Sequence, residues 1–104
     1  MIVTTTNSIE GRAVTDYLGV VTAQSVLGVN AFKDMSAGIR NVFGGHAHSY
    51  ENELGEGVAG ALRELEKQAM TLSADAVLSV DIDYETVGDR MLMVSASGTA
   101  VRLR

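Results

Sequence analysis

Two histidines stand two residues apart in Gly44-Gly45-His46-Ala47-His48-Ser49-Tyr50-Glu51, and the chain has no others. It has no cysteine either, so this is the one place where zinc, nickel or copper would find soft or borderline ligands. Flanked by glycine, the imidazoles of His46 and His48 can converge on one ion, with Glu51 or Glu53 as an oxygen donor. The competing explanation is a pair of solvated loop histidines that hold nothing.

A second pair of candidates is Asp81 and Asp83, with Glu85 beyond them on the same side of an alternating segment. Along a strand their Cβ atoms stand about 7 Å apart, so both carboxylates can reach one hard cation. Two unit charges at that separation repel by about 0.6 kcal/mol in bulk water, and several-fold more when partly buried. The competing explanation is a structural patch neutralised by Lys33, Arg40 or Arg12 of a neighbouring copy. Ser95, Ser97 and Thr99 set three hydroxyls along one strand face, but no Gly-x-Ser-x-Gly turn presents a nucleophile. Gly55-Glu56-Gly57-Val58-Ala59-Gly60 lacks the Gly-Lys-Ser/Thr ending of a phosphate loop and does not follow a strand.

The elements that must position these groups follow from apolar spacing. Ile2–Thr6 predicts a short strand, Ala13–Thr22 a second and Gln24–Val29 a third, with Gly28 marking a bulge or a close backbone approach. Phe32, Met35, Ile39, Val42 and Phe43 recur at threes and fours, which predicts a helix over Phe32–Phe43 stopped by Gly44-Gly45. Ser49 then suits the N-cap of a helix over Tyr50–Leu72, with Glu51 and Glu53 in its first turn. Its stripe is Leu54, Val58, Ala61, Leu62, Leu65, Ala69 and Leu72. Gly55, Gly57 and Gly60 each cost about 1 kcal/mol relative to alanine there. Either this half is loosely wound or another backbone packs closely on it.

Ala76–Glu85 alternates, with Ala76, Leu78, Val80, Ile82 and Tyr84 on one side and the acids on the other. Gly88-Asp89 turns the chain into a last strand, Met91–Leu103. That strand is apolar or small on both faces, Met91, Met93, Val101 and Leu103 on one and Leu92, Val94, Ala96 and Ala100 on the other. A sheet with helices on one side keeps its second face polar, so a greasy second face predicts a partner copy.

Bulk properties narrow the function. A chain of 104 residues makes one domain, 1–104. A net charge of −5 without a Lys/Arg cluster argues against nucleic acid. No apolar run approaches the ~20 residues of a membrane helix, and the N-terminus lacks a basic region followed by an apolar run. The cytoplasm is the expected location.

Several runs, in order along nearly the whole chain, resemble the YbjQ family, named for heavy-metal binding. They are Thr4-Thr5-Thr6 with Ile9-Glu10-Gly11, Tyr17-Leu18-Gly19, Val29-Asn30-Ala31-Phe32-Lys33-Asp34, Gly44-Gly45 followed by Tyr50-Glu51, Val80-Asp81-Ile82-Asp83-Tyr84-Glu85, and Met91 to Val101. The resemblance implies an α+β subunit of the dodecin-like kind, an antiparallel sheet with two helices packed on one face, assembled as a homopentamer. It covers Asp81 and Asp83 directly. At His46, Ala47 and His48 the chain departs from the family, whose members carry a basic residue and a serine after the double glycine. A histidine site would be particular to this chain.

Together these point to a cytoplasmic assembly protein that binds a divalent metal ion through Asp81, Asp83, His46, His48 and Glu51 and has no catalysis of its own. The alternatives are a small hydrolase or isomerase with its site at subunit boundaries, using Asp81 or Asp83 as a base, and a small-ligand carrier.

Overall fold

The 14-residue strand β2 (Val14–Leu27) and the 13-residue β4 (Met91–Leu103) form the longest ladder among the described residues. The structure, a computed structural model, describes residues 1–27, 47–88 and 91–104, with the side chains of all but 47–53. Among the described residues the remaining elements are β1 (Ile2–Val3), one helix, α1 (Ala47–Thr71), and β3 (Ala76–Val87). The sheet order is β1-β3-β4-β2, so the last strand in sequence lies inside the sheet.

Several expectations change. The sheet is mixed rather than antiparallel throughout, because β1 runs parallel to β3, with Ile2 opposite Ala76 and Val3 opposite Val77. A parallel pair needs a long crossover, and here β2 and α1 lie between the two strands. β2 is one strand where two were expected. Thr22, Ala23 and Gln24 each face a residue of β4, so the ladder carries the polar positions through. Its irregularities fall instead between Val14 and Asp16 and between Tyr17 and Gly19. Gly28 and the expected helix Phe32–Phe43 lie outside the described residues, so one helix is described where two were expected. α1 begins at Ala47, which leaves Ser49 inside the helix and no acid in its first turn.

α1 closes on the sheet through Ala61, Leu65 and Ala69, all fully buried, with Val58 and Leu62 half-buried beside them. The glycines allow that approach. A Cβ on Gly57 would lie 3.2 Å from Val94 Cγ2 and 3.3 Å from Leu27 Cδ2, and one on Gly60 would lie 3.3 Å from Ser25 Oγ. Close packing against β2 and β4, rather than loose winding, accounts for Gly57 and Gly60, while a Cβ on Gly55 would meet nothing within 4 Å.

The sheet has a core on each face. Under α1 lie Val21, Ala23, Val77, Val80, Val94, Ala96 and Ala100. On the opposite face Ala76, Leu78, Val101 and Leu103 pack under Ile9 and Val14. The apolar second face of β4 is therefore covered by the chain itself at its Val101–Leu103 end.

A bulge in β3 separates the two cores. Leu78 faces Thr99 and Asp81 faces Ser97, so Ser79 and Val80 together oppose Gly98. Ser79 sits at φ 55°, and its N–H donates to Thr6 O at 2.8 Å. The bulge breaks the expected alternation: Val77 and Val80 both face α1, while Ala76 and Leu78 face away. No described helix is long and apolar enough to cross a membrane.

Candidate functional site

Past the bulge, β3 resumes a strict period of two. Asp81, Asp83 and Glu85 are exposed on the face opposite α1, while Val80 and Ile82 point toward the helix. The ladders extend each acid into a row across the sheet. Asp81 lies beside Ser97 and then Thr22, Asp83 beside Ser95 and then Gln24, and Glu85 beside Met93 and then Val26.

The two aspartates meet as their spacing suggested. The Asp81 and Asp83 side chains interact closely enough for a carboxyl–carboxyl hydrogen bond to favour the protonated form of Asp83. That bond holds the Asp83 carboxyl above the ordinary carboxylate value of 3.8; the charge of Asp81, slight desolvation and the charge of Glu85 push the same way. Among the described residues no cation lies within ion-pair distance of the row. Arg12 is engaged elsewhere, its Nε donating to Arg104 O at 3.3 Å, and Lys33 and Arg40 lie outside the described residues.

A raised acid pKa has a definite sign in the stability. The folded chain binds the Asp83 proton more tightly than the unfolded chain does. The contribution of Asp83 to stability is therefore greatest at low pH and declines as pH climbs from 3.8 through the raised value. Asp81→Asn removes the charge that raises Asp83, so the decline in urea midpoint over that interval should flatten. An unchanged slope would mean that the two carboxyls do not share a proton.

The histidine candidates fare differently. His46 lies outside the described residues. His48 and Glu51 belong to α1 by backbone, with their side chains outside the description. Among the described residues no group of three or more His, Asp or Glu side chains is close enough to hold a metal ion. The Asp81–Asp83 pair supplies two carboxylates, and a cation there needs further donors.

One feature escaped the sequence altogether. Because α1 lies mainly over β2 and β4, the helix side of β3 is left as an open groove of about 350 Å³. Val3, Leu62, Val80 and Ile82 form its apolar floor, with Arg63 and Glu66 on the rim. The Met1 amino group sits 3.8 Å from Glu66 Oε1. Nothing in the alternation of β3 signals this opening, which depends on where the helix lands.

Known proteins resemble the chain along its full length. The family model YbjQ_1, described as "Putative heavy-metal-binding", matches residues 1–104. A UPF0145 protein of Acetivibrio thermocellus is 52% identical over 103 residues, covering 97% of each chain. A UPF0145 protein of Halalkalibacterium halodurans is 50% identical over 104 residues, covering 100% of this chain and 97% of its own. Among solved structures, a protein of unknown function of the DUF74 family from Pediococcus pentosaceus superposes with a TM-score of 0.68. The alignment covers 100% of this chain and 98% of the other at 20% identity, so the likeness is one of fold.

Proposed function

The chain belongs to the YbjQ family, and from that premise we propose that it is a cytoplasmic homo-oligomeric binding protein that takes a divalent cation between Asp81 and Asp83. The observation that carries the proposal is the pair of exposed carboxyls side by side on one face of β3, where Asp81 raises the pKa of Asp83 and no described cation lies in ion-pair reach. Two neighbouring carboxylates that disfavour each other's charge have the place and the charge for a cation. The donor set suits the ion: without cysteine the chain offers oxygen and imidazole, which favour hard and borderline dications over thiolate-seeking ones. The hydroxyls of Ser95 and Ser97 stand beside the pair on β4, and His46, His48 and Glu51 are an alternative donor set that the titration below separates from it.

Assembly as a homopentamer completes the proposal. Its support is the shape of the single chain, with extents of 50 × 25 × 15 Å and a radius of gyration of 16.3 Å. A compact domain of this length has a radius of about 13 Å. Tyr17 and Val20 on β2 are both 76% exposed, which is more open apolar surface than an outer strand carries comfortably.

Titration calorimetry with zinc, nickel and magnesium tests the cation site. A cation competes with the proton on Asp83, so affinity should rise with pH through the raised Asp83 value. Asp81→Asn/Asp83→Asn should weaken binding at least tenfold, while His46→Ala/His48→Ala should leave it within twofold. Equal affinity in wild type and the Asp variant would end the proposal for β3. A loss confined to the histidine variant would move the site to the loop.

A further inference from the structure

We infer that the exposed edge of β3 and the regular half of β2 meet between successive copies as a parallel strand pair, so that one sheet runs on from subunit to subunit. The inference deepens the assembly proposed above and rests on it, with a second copy of this chain as the occupant of the groove.

The two edges fit one another. β1 pairs with β3 at Ala76 and Val77, and Thr4 and Thr6 extend the contact to Val80. From Asp81 to Val87 the outer backbone groups of β3 have no partner among the described residues. On the far side of the sheet, β2 pairs with β4 residue for residue from Val20 to Leu27, and its outer edge likewise has no described partner. The two open runs match in length to within a residue, and each would satisfy the other's N–H and C=O groups.

Direction follows from the ladders. β2 and β3 are each antiparallel to β4, hence parallel to one another. A rotation about an axis along the strands brings β2 of the next copy alongside β3 in that same sense. Such a contact joins different surfaces of the two copies, and repeated with the right angle it closes a ring.

Charge argues against the alternative. If β3 met β3 about a two-fold axis, the acids Asp81, Asp83 and Glu85 of both copies would face each other across the seam, which is destabilising. Pairing with β2 instead sets the row beside the neutral donors Thr22 and Gln24 of the partner subunit. The groove is filled by the same step. It opens on the helix side next to the β3 edge, and in the next copy α1 lies over β2 on that side, close to Ser25 and Leu27. Ile82, Leu62 and the 55% exposed Tyr84 then lie against a second helix–strand layer.

The absence of cysteine makes the test clean. Glu85→Cys marks the outer face of β3, and Thr22→Cys, Gln24→Cys and Val26→Cys mark that of β2 at successive registers. Light scattering first establishes that each variant, like wild type, exceeds the 11.0 kDa of one chain. Oxidation should link Glu85→Cys to at least one β2 variant when the two are mixed, since adjacent strands hold Cβ atoms about 5 Å apart. Neither partner should cross-link when oxidised alone. Self-linking of Glu85→Cys would overturn the seam in favour of a two-fold contact. Oligomers without any mixed link would overturn the seam and leave the assembly standing. A wild-type mass of one chain would overturn both.

Discussion

Gly98→Ala is expected to cost about 2–3 kcal/mol, a large share of the 5–15 kcal/mol that holds a domain together. The added Cβ would lie 2.6 Å from Val77 Cγ1 and 3.1 Å from Leu78 O. Neither neighbour can give way cheaply. Val77 is fully buried between the sheet and α1, and the carbonyl belongs to the backbone of the bulge. The strain falls where β3 changes the facing of its side chains, so the variant should disturb the acidic row as well. Urea denaturation at fixed protein concentration measures the first effect. The second appears as a shift of the pH interval over which the Asp83 proton is lost. A cost under about 0.5 kcal/mol would mean that the bulge opens freely and does not fix where Asp81 and Asp83 point.

Leu65→Ala should cost about 3 kcal/mol for a different reason. Leu65 is one of the largest fully buried side chains and is flanked along the helix by Ala61 and Ala69. Alanines have no length with which to swing into the space it vacates, so the cavity persists and its walls lose their contacts. Met70→Ala on the same helix supplies the contrast. Its side chain is 63% exposed, and the change should stay within about 0.5 kcal/mol. Equal losses at the two positions would contradict the placement of the helix on the sheet.

What was legible in the sequence was local. The stripe from Val58 to Ala69 is a property of neighbouring turns, and it identified the buried face of α1 correctly. The i, i+2 spacing of Asp81 and Asp83 identified a carboxylate pair for the same reason, and the two faces of β4 separated as their alternation indicated. The bulge left no such trace. It is carried by Ser79, a serine in left-handed backbone, where a glycine would have announced it. The segment Ala76–Tyr84 therefore looked evenly alternating when two of its apolar residues point the other way.

Features that depend on distant pairing were also hidden. β1 has only two residues, too few for a period, and its parallel register is set by a strand some seventy positions on. The hydroxyl and amide neighbours of the acids, Ser97, Thr22, Ser95 and Gln24, come from two other strands, and no spacing within β3 names them. Gly57 and Gly60 were puzzling as helix residues and became sensible once Val94, Ser25 and Leu27 were seen beneath them.

The place of β4 has a consequence for how the chain reaches its fold. The strand that both β2 and β3 require as a ladder partner leaves the ribosome after every other described element. Until then α1 has no complete floor, and two long β segments wait with their backbone groups turned to water. Closure depends on contacts between residues far apart in sequence, which slows folding and leaves sticky segments exposed during synthesis. A nascent chain halted before Met91 should be a good client for chaperones, and the addition of β4 should convert it into something they release.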